Sequence, residues 1–232
     1  ADAHHFTVLA GHEGVANYSD ALSASSDGLA DDRLTNLQNG KQETYSVSES
    51  MSQSRFLSFF GRLDYSILDK YYFDASVRND ACSRFGANNR NATFWAVGGM
   101  WKIKGEDFLY AVDAVNDLNF KVSYGTQGNA SIGNYQHLGL VSTASKYMDT
   151  GAKVLSQPSN PGLTWEQQAL LTVGINGRFF NMLDVNIEFY NRTTTDMLMD
   201  VPYNYTTGFS SLKANVGSLS NRGVDITLGV DI

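Results

Sequence analysis

Few residues in this chain combine the type and the spacing that chemistry requires. His4 and His5 are possible metal ligands, but their spacing is not a ligand frame and no Cys cluster accompanies them. They read as a solvated strand end. The run Gly125-Thr126-Gln127-Gly128-Asn129-Ala130-Ser131-Ile132-Gly133 has the glycine density of a phosphate cradle. It lacks a Gly-Lys-Ser/Thr ending and a following helix, so the expectation is a turn in an outer loop. No Gly-x-Ser-x-Gly elbow presents a nucleophile. Asp184 with Glu188, or Asp64 with Asp80, are the acid pairs that general acid–base work would need. On alternating strands they sit among Arg62, Arg78, Lys121 and Arg178, which reads as one polar face. The residues therefore give no enzyme, metal site or cofactor site.

The elements carrying these residues are strands, because the dominant signal is a hydrophobic period of two. Leu57, Phe59, Gly61, Leu63, Tyr65 and Ile67 fall on one face, with Ser58, Arg62, Asp64 and Ser66 on the other. After the turn Leu68-Asp69-Lys70, the residues Tyr71, Phe73, Ala75 and Val77 alternate with Asp74, Ser76, Arg78 and Asp80. The pattern recurs at Leu118–Tyr124, Leu171–Phe179, Leu183–Tyr190 and Val224–Ile232. Strands are expected over about 4–12, 54–67, 71–80, 92–104, 117–125, 168–179, 183–192 and 222–232. Most are near ten residues, longer than the usual five or six. A short helix is expected from Glu106 to Ala114, with Phe108, Leu109, Val112 and Val115 on one side.

The connections sort by length. Very short turns (Leu68–Lys70, Phe180–Met182) alternate with long loops (Glu13–Ser54, Thr126–Gln167, Thr193–Asn221). Short turns on one rim and long loops on the other is the layout of a bacterial outer-membrane barrel, and ten residues match its tilted span. A β-sandwich has no reason to sort its loops this way. It remains the alternative, as a soluble glycan-binding module, and a complete eight-stranded small barrel is a weaker one. Tyr71, Tyr72, Trp101, Phe179 and Phe180 fall at strand ends near the short turns, where an aromatic interface girdle belongs.

Composition agrees. Of 232 residues, 42% are hydrophobic and only 18% charged, which excludes a disordered chain. No apolar run approaches the roughly 18–20 residues of a spanning helix. With 17 basic and 24 acidic residues the chain carries −7, against a nucleic-acid partner. Aromatics at 12%, and 21 glycines against 3 prolines, fit β-structure. A single cysteine excludes an internal disulfide framework. The chain starts without Met, basic n-region or apolar h-region and ends in mid-pattern, so it reads as a piece of something longer.

Several motifs resemble one family. They are Phe59-Phe60-Gly61-Arg62-Leu63-Asp64-Tyr65, then Asp69-Lys70-Tyr71-Tyr72-Phe73, then Arg78-Asn79-Asp80-Ala81-Cys82-Ser83-Arg84-Phe85-Gly86. Lys121-Val122-Ser123-Tyr124-Gly125-Thr126-Gln127-Gly128-Asn129, Leu163-Thr164-Trp165-Glu166, Tyr190-Asn191-Arg192-Thr193-Thr194-Thr195-Asp196 and Asn215–Val224 follow in order. In series, over 54–232, they resemble the barrel of SusC-type TonB-dependent transporters. The resemblance implies an all-β, antiparallel transmembrane barrel segment of about eight strands within a larger plugged barrel of the bacterial outer membrane. It implies import of oligosaccharides or peptides, with a SusD-like surface lipoprotein above, TonB acting through the N-terminal part, and lipid outside. Plug and TonB box are not in the sequence. Arg62, Asp64, Arg78, Asp80, Arg178 and Glu188 are the candidates for lining the lumen or contacting the plug. Tyr203, Tyr205 and Phe209 are the candidates for loop contacts with substrate or partner.

Overall fold

A computed structural model describes residues 3–148 and 150–231, without the side chains of 144–147 and 150. The sequence expectations at Ala1, Asp2 and Ile232 lie outside the described residues. Contacts divide the chain into two compact units, Ala1–Gly14 with Phe56–Ile232, and Val15–Arg55.

Twelve strands form among the described residues: β1 (His4–Ser25), β2 (Ser46–Ile67), β3 (Tyr71–Cys82), β4 (Asn91–Lys102), β5 (Val115–Asn129), β6 (Leu140–Tyr147), β7 (Thr150–Gln157), β8 (Glu166–Phe179), β9 (Leu183–Thr195), β10 (Leu198–Pro202), β11 (Ser211–Asn215) and β12 (Ser218–Val230). Eight make one sheet in the order β1-β2-β3-β4-β5-β8-β9-β12, and the registered pairs are antiparallel. Among the described residues the sheet ends at β1 and β12, so they form neither a closed small barrel nor a two-sheet sandwich. β6–β7 and β10–β11 are separate two-stranded hairpins inside long loops.

Both shortest turns have two central residues in the left-handed region, Leu68 and Asp69 in one and Phe180 and Asn181 in the other. That is the type I′ geometry whose twist matches the flanking strands. Lys70 N–H closes on Ile67 O at 3.0 Å and Met182 N–H on Phe179 O at 3.1 Å. Neither turn has the usual glycine. Strand pairing on both sides overrides the local cost of Leu68 and Phe180 there.

The register explains the faces. Opposed residues share a face. Leu63 stands opposite Ala75, Ala75 opposite Val97, and Val97 opposite Tyr124. Val173, Phe189 and Val224 continue that face across β8, β9 and β12. The alternate positions carry Arg62, Arg78, Lys121 and Glu188.

Several expected boundaries need correction. The loop expected at Glu13–Ser54 is mostly strand, since β1 runs to Ser25 and β2 starts at Ser46. Neither arm of that stretch carries an unbroken apolar face (Val47 and Met51 alternate with Glu49 and Gln53), so the pairing leaves no period-two hydropathy signal. β5 continues to Asn129, so Gly125–Asn129 is strand and the turn begins at Ala130. β9 continues to Thr195, β12 begins at Ser218, and β4 ends at Lys102. The helix expected at Glu106–Ala114 is a single turn, α1 (Asp107–Tyr110), after a 3₁₀ turn at Ile103–Gly105.

The second unit is a two-stranded ribbon closed by residues 26–45. Thr44 Oγ1 accepts from Asp27 N–H and Ser26 Oγ donates to Leu37 O, pinning the tip. The Arg33 guanidinium chelates Asp31 and holds its carboxyl below the usual carboxylate range.

Candidate functional site

The polar face gathers all six charged residues picked out in the sequence, and each has a partner. Arg62 chelates Asp64 at 2.7–2.9 Å within β2. Arg78 joins Asp80 at 2.6 Å, Glu13 at 2.9 Å and Ser58 Oγ at 3.0 Å, crossing from β3 to β1. Arg178 bridges Asp184 at 3.2 Å and reaches Asp231. Lys121 on β5 pairs with Glu188 on β9 across the intervening strand. Asp64 and Asp80 therefore do not face one another as an acid pair, and Asp184 and Glu188 are bound to different cations. His4 Nδ1 meets Tyr65 Oη at 2.9 Å, and His5 lies 4.0 Å from Asp69, on the opposite side of the strand.

Glycines shape this face. A Cβ on Gly174 would lie 2.9 Å from Glu188 Cγ and 3.1 Å from Lys121 Cε. The absent side chain is what lets that ion pair pass over β8. Phe60 lies over Gly11 and Tyr190 over Gly223 in the same way. Large side chains thus lie flat on the wall. A cavity of about 500 Å³ opens on it, lined in part by Asp117, Lys121, Arg178 and Asp184.

The loop rim is built differently. Phe85, Leu163 and Trp165 are 0–4% exposed and pack with Cys82, Phe94 and Ile132. The Trp165 ring stands 5.1 Å from Phe85 and 5.7 Å from Phe94. Its Nε1 donates to Arg90 O at 3.0 Å. Polar side chains then tie three loops together. Arg84 donates to Asn134 Oδ1 and Ala130 O, and Asn160 Nδ2 to Lys213 O. Asn215 exchanges two 2.8 Å bonds with the Thr164 backbone and gives a third to Asp196 O. A Cβ on Gly86 would meet Pro161 O at 2.7 Å, so only glycine admits that approach.

Sequence reasoning missed this clamp as a functional unit, although the signal was present. Arg84-Phe85-Gly86, Leu163-Thr164-Trp165-Glu166 and Asn215 are three of the motifs that carry the family resemblance, and here they meet. Tyr203, Tyr205 and Phe209 lie on or beside the β10–β11 hairpin. Tyr205 is 82% exposed in a 3₁₀ turn that Asn204 caps and Gly208 ends at φ 83°. Phe209 lines a cavity of about 300 Å³ with Gln136, Asp200 and Lys213, while Tyr203 and Tyr205 do not.

This geometry can be set beside known proteins. The family model described as TonB dependent receptor-like, beta-barrel matches residues 4–231. TonB-dependent receptor P26 of Formosa agariphila is 32% identical over 97% of this chain and 23% of its own length. TonB-dependent receptor SusC of Bacteroides thetaiotaomicron is 33% identical over 76% of this chain and 18% of its own. The solved RagAB peptide transporter superposes on 100% of this chain and 26% of that chain, with a TM-score of 0.92 and 42% identity. The siderophore receptor PirA from Acinetobacter baumannii, 15% identical with a TM-score of 0.62, shares the fold. The chain spans about a quarter of the length of the relatives it matches.

Proposed function

The chain belongs to the TonB dependent receptor-like β-barrel family and is part of an outer-membrane protein, and from that premise we propose that it forms a stretch of wall and surface loops in a SusC-like importer of peptides. The observation that carries the peptide reading is the 42% identity to the RagAB peptide transporter over the whole chain. Oligosaccharide cargo is the second reading, favoured by the 33% identity to SusC.

In this reading the apolar face meets lipid and the polar face lines the lumen. Arg62, Asp64, Arg78, Asp80, Arg178 and Glu188 then line the passage or touch a plug. Their ion pairs support that role, because charges closed on one another can border a wet interior without an uncompensated partner. The clamp holds Tyr203, Tyr205 and Phe209 at the outer rim, where they contact cargo or a SusD-like lipoprotein. TonB supplies the energy through a part of the protein outside this chain.

Cells deleted for the full-length gene test this directly. They should lose uptake of fluorescent oligopeptides and regain it with the gene restored. Unchanged peptide uptake with lost oligosaccharide uptake would move the cargo to glycans, and no change in either would sink the importer reading.

A further inference from the structure

The β4–β5 connection is built more firmly than a linker needs. Glu106 accepts from Tyr71 Oη at 2.6 Å and Trp101 Nε1 at 3.1 Å through one oxygen, and from Lys70 Nζ at 3.2 Å through the other. Lys104 Nζ donates to the carbonyls of Leu109, Tyr110 and Val112 at 2.8–3.3 Å, satisfying groups that a one-turn helix leaves open. Phe180 N–H donates to Ala114 O and adds the neighbouring turn.

The register gives this loop a side. Tyr71 stands opposite Ile67 and Trp101, on the apolar face, and the two rings stack at 6.4 Å. Since both bind Glu106, the loop folds back over the outside of the wall at the short-turn rim. Directly after Glu106, Phe108 is 68% exposed and Tyr110 is 77% exposed. Leu68 and Phe180 in the adjacent turns are exposed as well.

We propose that this loop is an interfacial foot that rests in the periplasmic leaflet of the outer membrane and takes phospholipid against Phe108 and Tyr110. This rests on the reading that the apolar face meets lipid, and Tyr71 and Trp101 on that face tie the foot to it through Glu106. The short-turn rim is the periplasmic one in such barrels. Tyr110 and Phe108 suit the headgroup boundary, where an aromatic ring is half in hydrocarbon. Asp107 between Glu106 and Phe108 keeps the foot at headgroup depth, since a carboxylate does not enter hydrocarbon. Glu106 is a positioning residue: it orients the foot and does not itself touch lipid.

The test uses the full-length protein in phosphatidylethanolamine–phosphatidylglycerol vesicles. A fluorophore is attached at Phe108→Cys, and Cys82, 1% exposed, stays unlabelled. Lipid bearing a doxyl group near the headgroup should quench this site at least about threefold more than a Thr206→Cys site on the opposite rim, and iodide should do the reverse. Adding Glu106→Gln should reduce the lipid quenching by about half while the barrel stays folded by its heat-modified gel mobility. An Ile226→Cys site on the apolar face, read with a doxyl group deep in the acyl chain, separates the two levels of the claim. If Ile226 is lipid-quenched and Phe108 behaves like Thr206, the foot is wrong and the wall stands. If neither is lipid-quenched, the wall reading and the foot fall together.

Discussion

The loop rim and the wall use the same kinds of side chain in opposite ways. At the rim, Phe85, Leu163 and Trp165 are buried against one another, and their polar neighbours are bonded across three loops. On the wall, Phe59, Phe73, Val224, Ile226 and Leu228 are as apolar but stand more than half exposed on one side of a single sheet. The rim is folded as a water-soluble core is folded, by contact. Among the described residues nothing packs on that apolar side, and on the proposed reading its solvent is lipid. One sequence therefore contains two folding problems, and substitutions should distinguish them.

The largest effect is expected at the rim. Trp165→Ala removes two ring contacts and a hydrogen bond from a closed cluster, which should cost about 3–5 kcal/mol. In the full-length protein this would appear as loop cleavage by protease, with the barrel's gel mobility unchanged. Loops that stay resistant would show that the cluster is not their core.

The wall comes next. Ile226→Arg should cost about 2–4 kcal/mol of folding free energy in vesicles if it faces the bilayer midplane. Asp225→Arg, one residue away and on the other face, should cost much less. Equal costs would erase the distinction between faces.

A smaller effect is expected at Asn215. Asn215→Ala leaves two Thr164 backbone groups and Asp196 O without their partner, at about 1–3 kcal/mol. The β10–β11 hairpin should then become more sensitive to protease than the β6–β7 hairpin. Equal sensitivity would mean that other contacts hold it.

The smallest effect belongs to the short-turn rim. Tyr71, then Trp101, then Lys70 hold the Glu106 carboxyl below the usual carboxylate range. A lowered folded value means that the stabilisation is complete above the ordinary carboxylate value and is lost as pH falls through the lowered one. Trp101 fluorescence should thus be flat at neutral pH and change only in acid, and Glu106→Gln should remove that change. A transition near neutrality would contradict this.

The wall was legible in the sequence because period two survives wherever one face is apolar. Leu183, Val185, Ile187 and Phe189 announce β9 without help. Residues 15–25 and 46–53 carry no such face, and those stretches of strand were invisible for that reason. The charged residues on the polar face were also legible as a set, but their pairing was not. Lys121 reaches Glu188 only because Gly174 lies between them in the folded sheet. The clamp was visible as motifs without a meaning: Trp165 and Phe85 are eighty residues apart and meet only through tertiary structure.

Spin labels placed singly along β12 of the full-length protein in lipid nanodiscs test the central claim most directly. Labels at 224, 226 and 228 should be relaxed by oxygen from the bilayer, and those at 225, 227 and 229 by a water-soluble nickel chelate, in strict alternation. Uniform access to the aqueous reagent at all six would contradict a wall with one lipid face and one wet face.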